Sequence, residues 1–134
     1  MKNSTIALFG ESEKGDYHKP YHCKSTEQLL CLLGHPPKDS RGIYYAIQVL
    51  LFERDLLYLR VKEEGFSYDD YLIGLRLLLD PSQIDSQTTV SALCLPGVGD
   101  KEIIQATSPI CNTHHSVLLI NEPDLYDYLT EMVT

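Results

Sequence analysis

Apolar residues recur along this chain in two patterns: short runs rich in β-branched and aromatic residues, and longer stretches spaced at helical intervals. That is what strands separated by helices look like in sequence. Residues 5–9, ended by Gly10, predict a buried first strand. Residues 11–24 are polar and irregular, with Gly15, Pro20, two tyrosines and two histidines, and read as a loop of functional length. Ser25 then opens a helix over 25–33, with Gln28 completing a capping box and Gly34 ending it before His35-Pro36-Pro37.

Residues 43–52 satisfy both templates. Ile43, Ala46, Ile47, Leu50 and Leu51 form a helical stripe behind Ser40, whereas the tyrosines, Val49 and Phe52 suit a strand. Helix is the better reading, because no Gly or Asn at 53–55 marks a tight hairpin. Residues 56–61 predict the second strand, and Ser67 with Asp70 a box-like start for a helix over 68–79 that stops at Asp80-Pro81. Tyr71, Leu72, Leu75, Leu78 and Leu79 give that helix one apolar stripe, and Ile73 with Leu77 a second. It is therefore deeply packed or meets a partner. Residues 90–95 predict a third strand, 96–99 its turn and 100–106 a short helix. Residues 108–115 read as loop and 117–120 as a fourth strand. Leu125, Tyr128, Leu129 and Met132 then stripe a terminal helix with Pro123 in its first turn.

This order predicts one α/β domain over 1–134, a three-layer α/β/α sandwich on a mostly parallel, doubly wound sheet of four to five strands. If 43–52 were a strand, an antiparallel hairpin over 43–62 would join it.

Charge narrows the partners. With 19 acidic against 11 basic residues the net charge is −8, and the basic residues form no patch, so direct nucleic-acid binding is not expected. The apolar stretch 6–9 is too short for a signal-peptide core, and 43–52 is about half a membrane span, so the expectation is a cytoplasmic protein without membrane contact. Four cysteines without close pairing read as free thiols.

Acidic residues gather where strands pass into helices: Glu11, Glu13 and Asp16, then Glu63 and Glu64, then Asp100, then Glu122 and Asp124. Those passages share the C-terminal edge of an open α/β sheet, where ligands of such folds bind. Glu11, Glu13, Asp16, Glu63, Gly97, Gly99, Asp100 and Glu122 are thus the candidate ligand-binding residues, with Asp70, Asp100 and Asp124 equally explained as helix-start residues. The 10–16 turn is no phosphate loop, since Asp16-Tyr17 stands where the Lys-Ser/Thr pair should be. The turn at 96–100 could admit a carboxylate or phosphate to backbone amides, but Glu102 replaces the third glycine of a dinucleotide fingerprint. His18, His22, Cys23, Cys31 and His35 are zinc-compatible types without a zinc knuckle, so no metal site is assigned. Cys111 with His114 and His115 offers a thiol near possible bases, which proximity alone does not make a nucleophile.

In electrostatics the acidic rim resembles that of phosphorelay receiver domains. The match ends at Leu95-Pro96-Gly97 and Ile120-Asn121-Glu122, where an acceptor aspartate and a lysine would be needed, and no family or cofactor is identified. Two functions follow as expectations. The first is a non-enzymatic protein-association module, including a homodimer through helix 68–79. The second is a small-molecule or divalent-metal-dependent enzyme with its site at the C-terminal edge of the sheet.

Overall fold

A computed structural model describes residues 3–85 and 87–131. Its first strand, β1 (Asn3–Gly10), lies at the centre of a five-stranded sheet. The chain then forms β2 (Pro20–Cys23), α1 (Thr26–Leu33), α2 (Gly42–Leu51), β3 (Asp55–Arg60), α3 (Tyr68–Leu77), β4 (Thr88–Cys94), α4 (Lys101–Ala106), α5 (Ser108–His114), β5 (Val117–Leu119) and α6 (Glu122–Glu131). The strand order is β2-β3-β1-β4-β5, parallel throughout except where β2 pairs antiparallel with β3. Helices cover both faces, so the α/β/α sandwich expected from the sequence is what forms.

Because β1 is buried on both faces, its apolar run is continuous rather than alternating. Ile6 and Leu8 pack beneath α1, α2 and α6 with Leu29, Ile43, Val49 and Leu125. Ala7 and Phe9 face the other way, toward Tyr71 and Leu75 of α3, Ile103 of α4 and Ile110 of α5. Between β1 and β4 the register slips, Thr5 opposing Val90 and Ile6 opposing Ala92. The extra residue is Ser91, and the bulge lets Val90 and Leu93 share one face although they stand three apart.

Several local expectations are corrected. The helix preferred for 43–52 does form, as Gly42–Leu51, but the alternative hairpin over 43–62 does not, and the antiparallel partner of β3 comes instead from within the segment expected to be loop. Tyr21 and Cys23 of β2 pair with Tyr58 and Leu56, which supplies an edge strand that its Pro20 and His22 disguise in sequence. Residues 108–114 form α5, with Pro109 in the first turn where a missing amide costs nothing. Ser25 caps α1 as expected, accepting from Gln28 N at 3.1 Å, though the Gln28 side chain reaches back to Lys24 N. The box expected at Ser67 and Asp70 does not close. Ser67 bonds Glu63, and Asp70 turns to Lys62 N and His18. Met132 lies outside the described residues.

Helix α3 approaches the sheet closely through Gly74, where a Cβ would stand 2.4 Å from Phe9 Cε2 and 3.1 Å from Leu59 Cδ2. This contact lets Phe9 and Tyr71 stack with ring centroids 5.6 Å apart. Ile73 and Leu77, the second stripe, are half-buried. None of the described helices is long and apolar enough to cross a membrane.

Candidate functional site

Leaving β1 the chain runs to helices on one face, and leaving β4 it runs to α4 on the other. The gap between the C-terminal ends of these adjacent strands is the topological switch point, the usual ligand crevice of an open α/β sheet. Here it is closed from below by glycines. A Cβ on Gly10 would stand 2.6 Å from Gly42 Cα and 2.5 Å from the Tyr58 hydroxyl, so only two glycines let the end of β1 touch the start of α2.

Into this junction the loop after β3 inserts Glu64. Its Oε2 accepts from Glu11 N at 2.8 Å and Gly42 N at 2.9 Å, and its Oε1 accepts from Arg41 N at 2.8 Å. Helix α2 has no side-chain cap of its own at Arg41, so a carboxylate 22 residues away in sequence serves its N-terminus. Glu11 reciprocates, its Oε2 accepting from Glu64 N at 3.0 Å. Two buried tyrosines brace the arrangement. The Tyr58 hydroxyl donates to Glu11 O at 2.7 Å, and the Tyr71 hydroxyl accepts from Gly65 N at 2.7 Å. Burial, with help from Glu64, pushes both phenols far above their ordinary pKa and keeps them neutral. The Cys94 thiol is likewise pushed up to about 12, first by burial and then by Glu64.

Above this clamp lies a hollow of about 320 Å³ bordered by Glu11, Asp39, Arg41, Glu63, Phe66 and Gly97. A second hollow of about 430 Å³, between Tyr44, Tyr45, Asn121 and Glu122, shares Arg41 with it. A smaller one of about 180 Å³ sits at the opposite edge of the sheet, beside Ile84, Thr88 and His114.

The eight residues expected to form a site divide accordingly. Glu11, Glu63 and Gly97 meet at the first hollow, and Glu122 borders the second. Glu13 is elsewhere, its Oε1 accepting from His35 N at 3.0 Å beyond the end of α1. Asp16 is exposed on a loop held to β3 by Arg60, which donates to Gly15 O and Ser12 O and stacks over Tyr17. Asp100 caps α4 through the amides of Glu102 and Ile103. Gly99 borders neither hollow. Gly97, at φ 78°, turns its carbonyl against Gly65, where a Cβ would stand 2.6 Å away.

In sequence Glu63 is the candidate, whereas the fold uses Glu64, and nothing in the Glu63-Glu64-Gly65 triplet separates the two. Arg41, Asp39 and Phe66 carry no local signal, and their position becomes visible only when β1, α2 and β3 are brought together. The other candidate clusters do not assemble. Among the described residues no group of three or more His, Cys, Asp or Glu could hold a metal ion. His114 places Nδ1 3.4 Å from Val90 N and Nε2 3.3 Å from Leu78 O, so both ring nitrogens face backbone groups rather than Cys111. His18 bonds the buried Asp70 at 2.8 Å.

No protein-family model matches the sequence, and no curated protein or solved structure shows significant similarity to it.

Proposed function

We propose that this protein is a non-enzymatic association module, a Rossmann-like sandwich whose working part is its surface rather than its crevice. One observation carries the reading. Helix α2, GIYYAIQVLL, contains no charged residue, and its outer side leaves Tyr44 61% and Leu51 72% exposed. A surface helix ordinarily turns charged residues to water, and tyrosine with leucine in their place suits the core of a protein contact. The crevice argues in the same direction, since Glu64 already fills the α2 N-terminus where a ligand anion would bind. Helix α3, the surface expected from the sequence, offers less. It ends at Leu77 rather than Leu79, and Leu79, just beyond it, is 41% exposed beside a hollow of about 230 Å³ lined by Leu72, Ala106 and Pro109.

A second reading, a small-molecule or divalent-metal-dependent enzyme, is favoured by the hollow at the switch point, where Arg41 and the 74% exposed Phe66 stand beside Glu11 and Glu63. A thermal-shift screen with divalent cations, nucleotides, sugars and amino acids separates the two, because selective binding raises apparent stability by mass action. The association reading expects no compound to raise the melting temperature. A selective rise of several degrees, abolished by Arg41→Ala, would transfer the function to the crevice.

A further inference from the structure

We infer that the partner seated on α2 is a second copy of this chain, packed antiparallel about a two-fold axis that passes beside Gln48. The inference rests on the association reading above and names its partner. Arg41, Tyr44, Gln48 and Leu51 follow one another at intervals of three, four and three residues, which places them along one stripe of the helix surface. The stripe is self-complementary when reversed. Tyr44 of each copy meets Leu51 of the other, and Gln48, the one polar side chain of the helix besides its two tyrosines, meets itself. A carboxamide carries both a donor and an acceptor, so two of them satisfy each other across a two-fold axis.

Charge selects the same pairing. At net charge −8, contact between copies brings carboxylates together over most of the surface. Helix α2 is, among the described helices, the one without Asp, Glu, Lys, Arg or His. Its ends carry opposite charges: the exposed Arg41 at the N-cap and the exposed Glu53 two residues past Leu51. Neither forms a salt bridge among the described residues, where the two such contacts are His18 with Asp70 and His22 with Asp55. Antiparallel packing sets Arg41 of each copy against Glu53 of the other and opposes the two helix dipoles. Tyr126 of α6, 49% exposed and edge-on to Phe52 at 6.3 Å, widens the apolar surface beside the stripe.

Sedimentation equilibrium of the full chain tests this. The stripe spans less than three turns of one helix, so a weak dimer forming between roughly 10 µM and 1 mM is expected. Leu51→Asp should be monomeric throughout that range with an unchanged circular dichroism spectrum, since Leu51 is exposed. Arg41→Glu and Glu53→Arg should each weaken the dimer at least fivefold. Mixing the two single variants should restore it, because each then meets its opposite at both ends of the stripe. A wild type that stays monomeric to 1 mM would overturn the inference and leave α2 to a different protein, while the ligand screen separately decides whether association is the function at all. Dimerisation untouched by Leu51→Asp, or single variants that do not restore one another when mixed, would overturn it as well.

Discussion

Glu11 and Glu64, 53 residues apart in sequence, each donate a backbone amide to the other's carboxylate, at 2.8 and 3.0 Å. The exchange joins the end of β1 to the loop after β3 at the point where the sheet changes winding. Two side chains of the acidic rim are thereby committed to holding the fold. Glu64 does more, because its carboxylate also receives the amides of Arg41 and Gly42.

Substituting Glu64 should therefore cost stability. Hydrogen bonds to a charged acceptor contribute about 1.5–3 kcal/mol, and water replaces part of that for a half-buried group. Glu64→Ala is expected to lose about 3 kcal/mol in urea unfolding, and Glu64→Gln, which keeps one acceptor oxygen, about half as much. Glu63→Ala should lie within about 0.5 kcal/mol of wild type, as an ordinary surface change does. Equal effects of Glu63 and Glu64 would contradict the assigned roles.

The segment between β1 and β2 is held by a second contact. Asp70 is 5% exposed, accepts from Lys62 N at 2.9 Å, and bonds His18, whose backbone sits at φ 59°. Removing the imidazole by His18→Ala should loosen the loop without unfolding the domain. Trypsin would then cut after Lys14 several times faster than in wild type. Asp70→Ala, which also strands the Lys62 amide, should cost about 2 kcal/mol.

The thiols give a pH dependence whose sign follows from linkage. Burial pushes Cys23 up to about 11 and Cys94 up to about 12 from an ordinary 9.0. The unfolded chain thus ionises first as pH rises, and the stability gained by keeping both thiols protonated is complete below pH 9. It is lost as pH climbs toward 11 and 12, with a slope of about 1.4 kcal/mol per pH unit per thiol. Unfolding curves between pH 8 and 11 should show this loss, and Cys94→Ala should flatten it. At pH 8, native protein should react rapidly with a thiol reagent at the exposed Cys31 and at Cys23 and Cys94 only after denaturation.

What the sequence revealed and what it hid have separate physical causes. The continuous apolar runs of β1, β3 and β4, and the caps at Ser25 and Asp100, are local signals, and the structure uses them as read. β2 was hidden because an edge strand with proline and alternating polar residues looks like a loop until β3 is there to pair with it. α5 was hidden because Ser-Pro and Asn-Thr are turn pairs in most contexts, while here Ile110 is drawn into the core. The site was hidden most. Which glutamate reaches α2 depends on Gly10 and Gly42 touching across 32 residues, a distance no local pattern encodes.

The inference with the widest consequence is that two copies of this chain meet through α2 and not through the crevice. Amide chemical shifts of uniformly ¹⁵N-labelled protein, followed on dilution from about 1 mM to 10 µM, the range in which a weak interface dissociates, test it most directly. Concentration-dependent shifts are expected, confined to residues 41–53 and the neighbourhood of Tyr126, with Glu11, Phe66 and Gly97 unmoved. Spectra that do not change with concentration, or changes centred on the crevice, would contradict it.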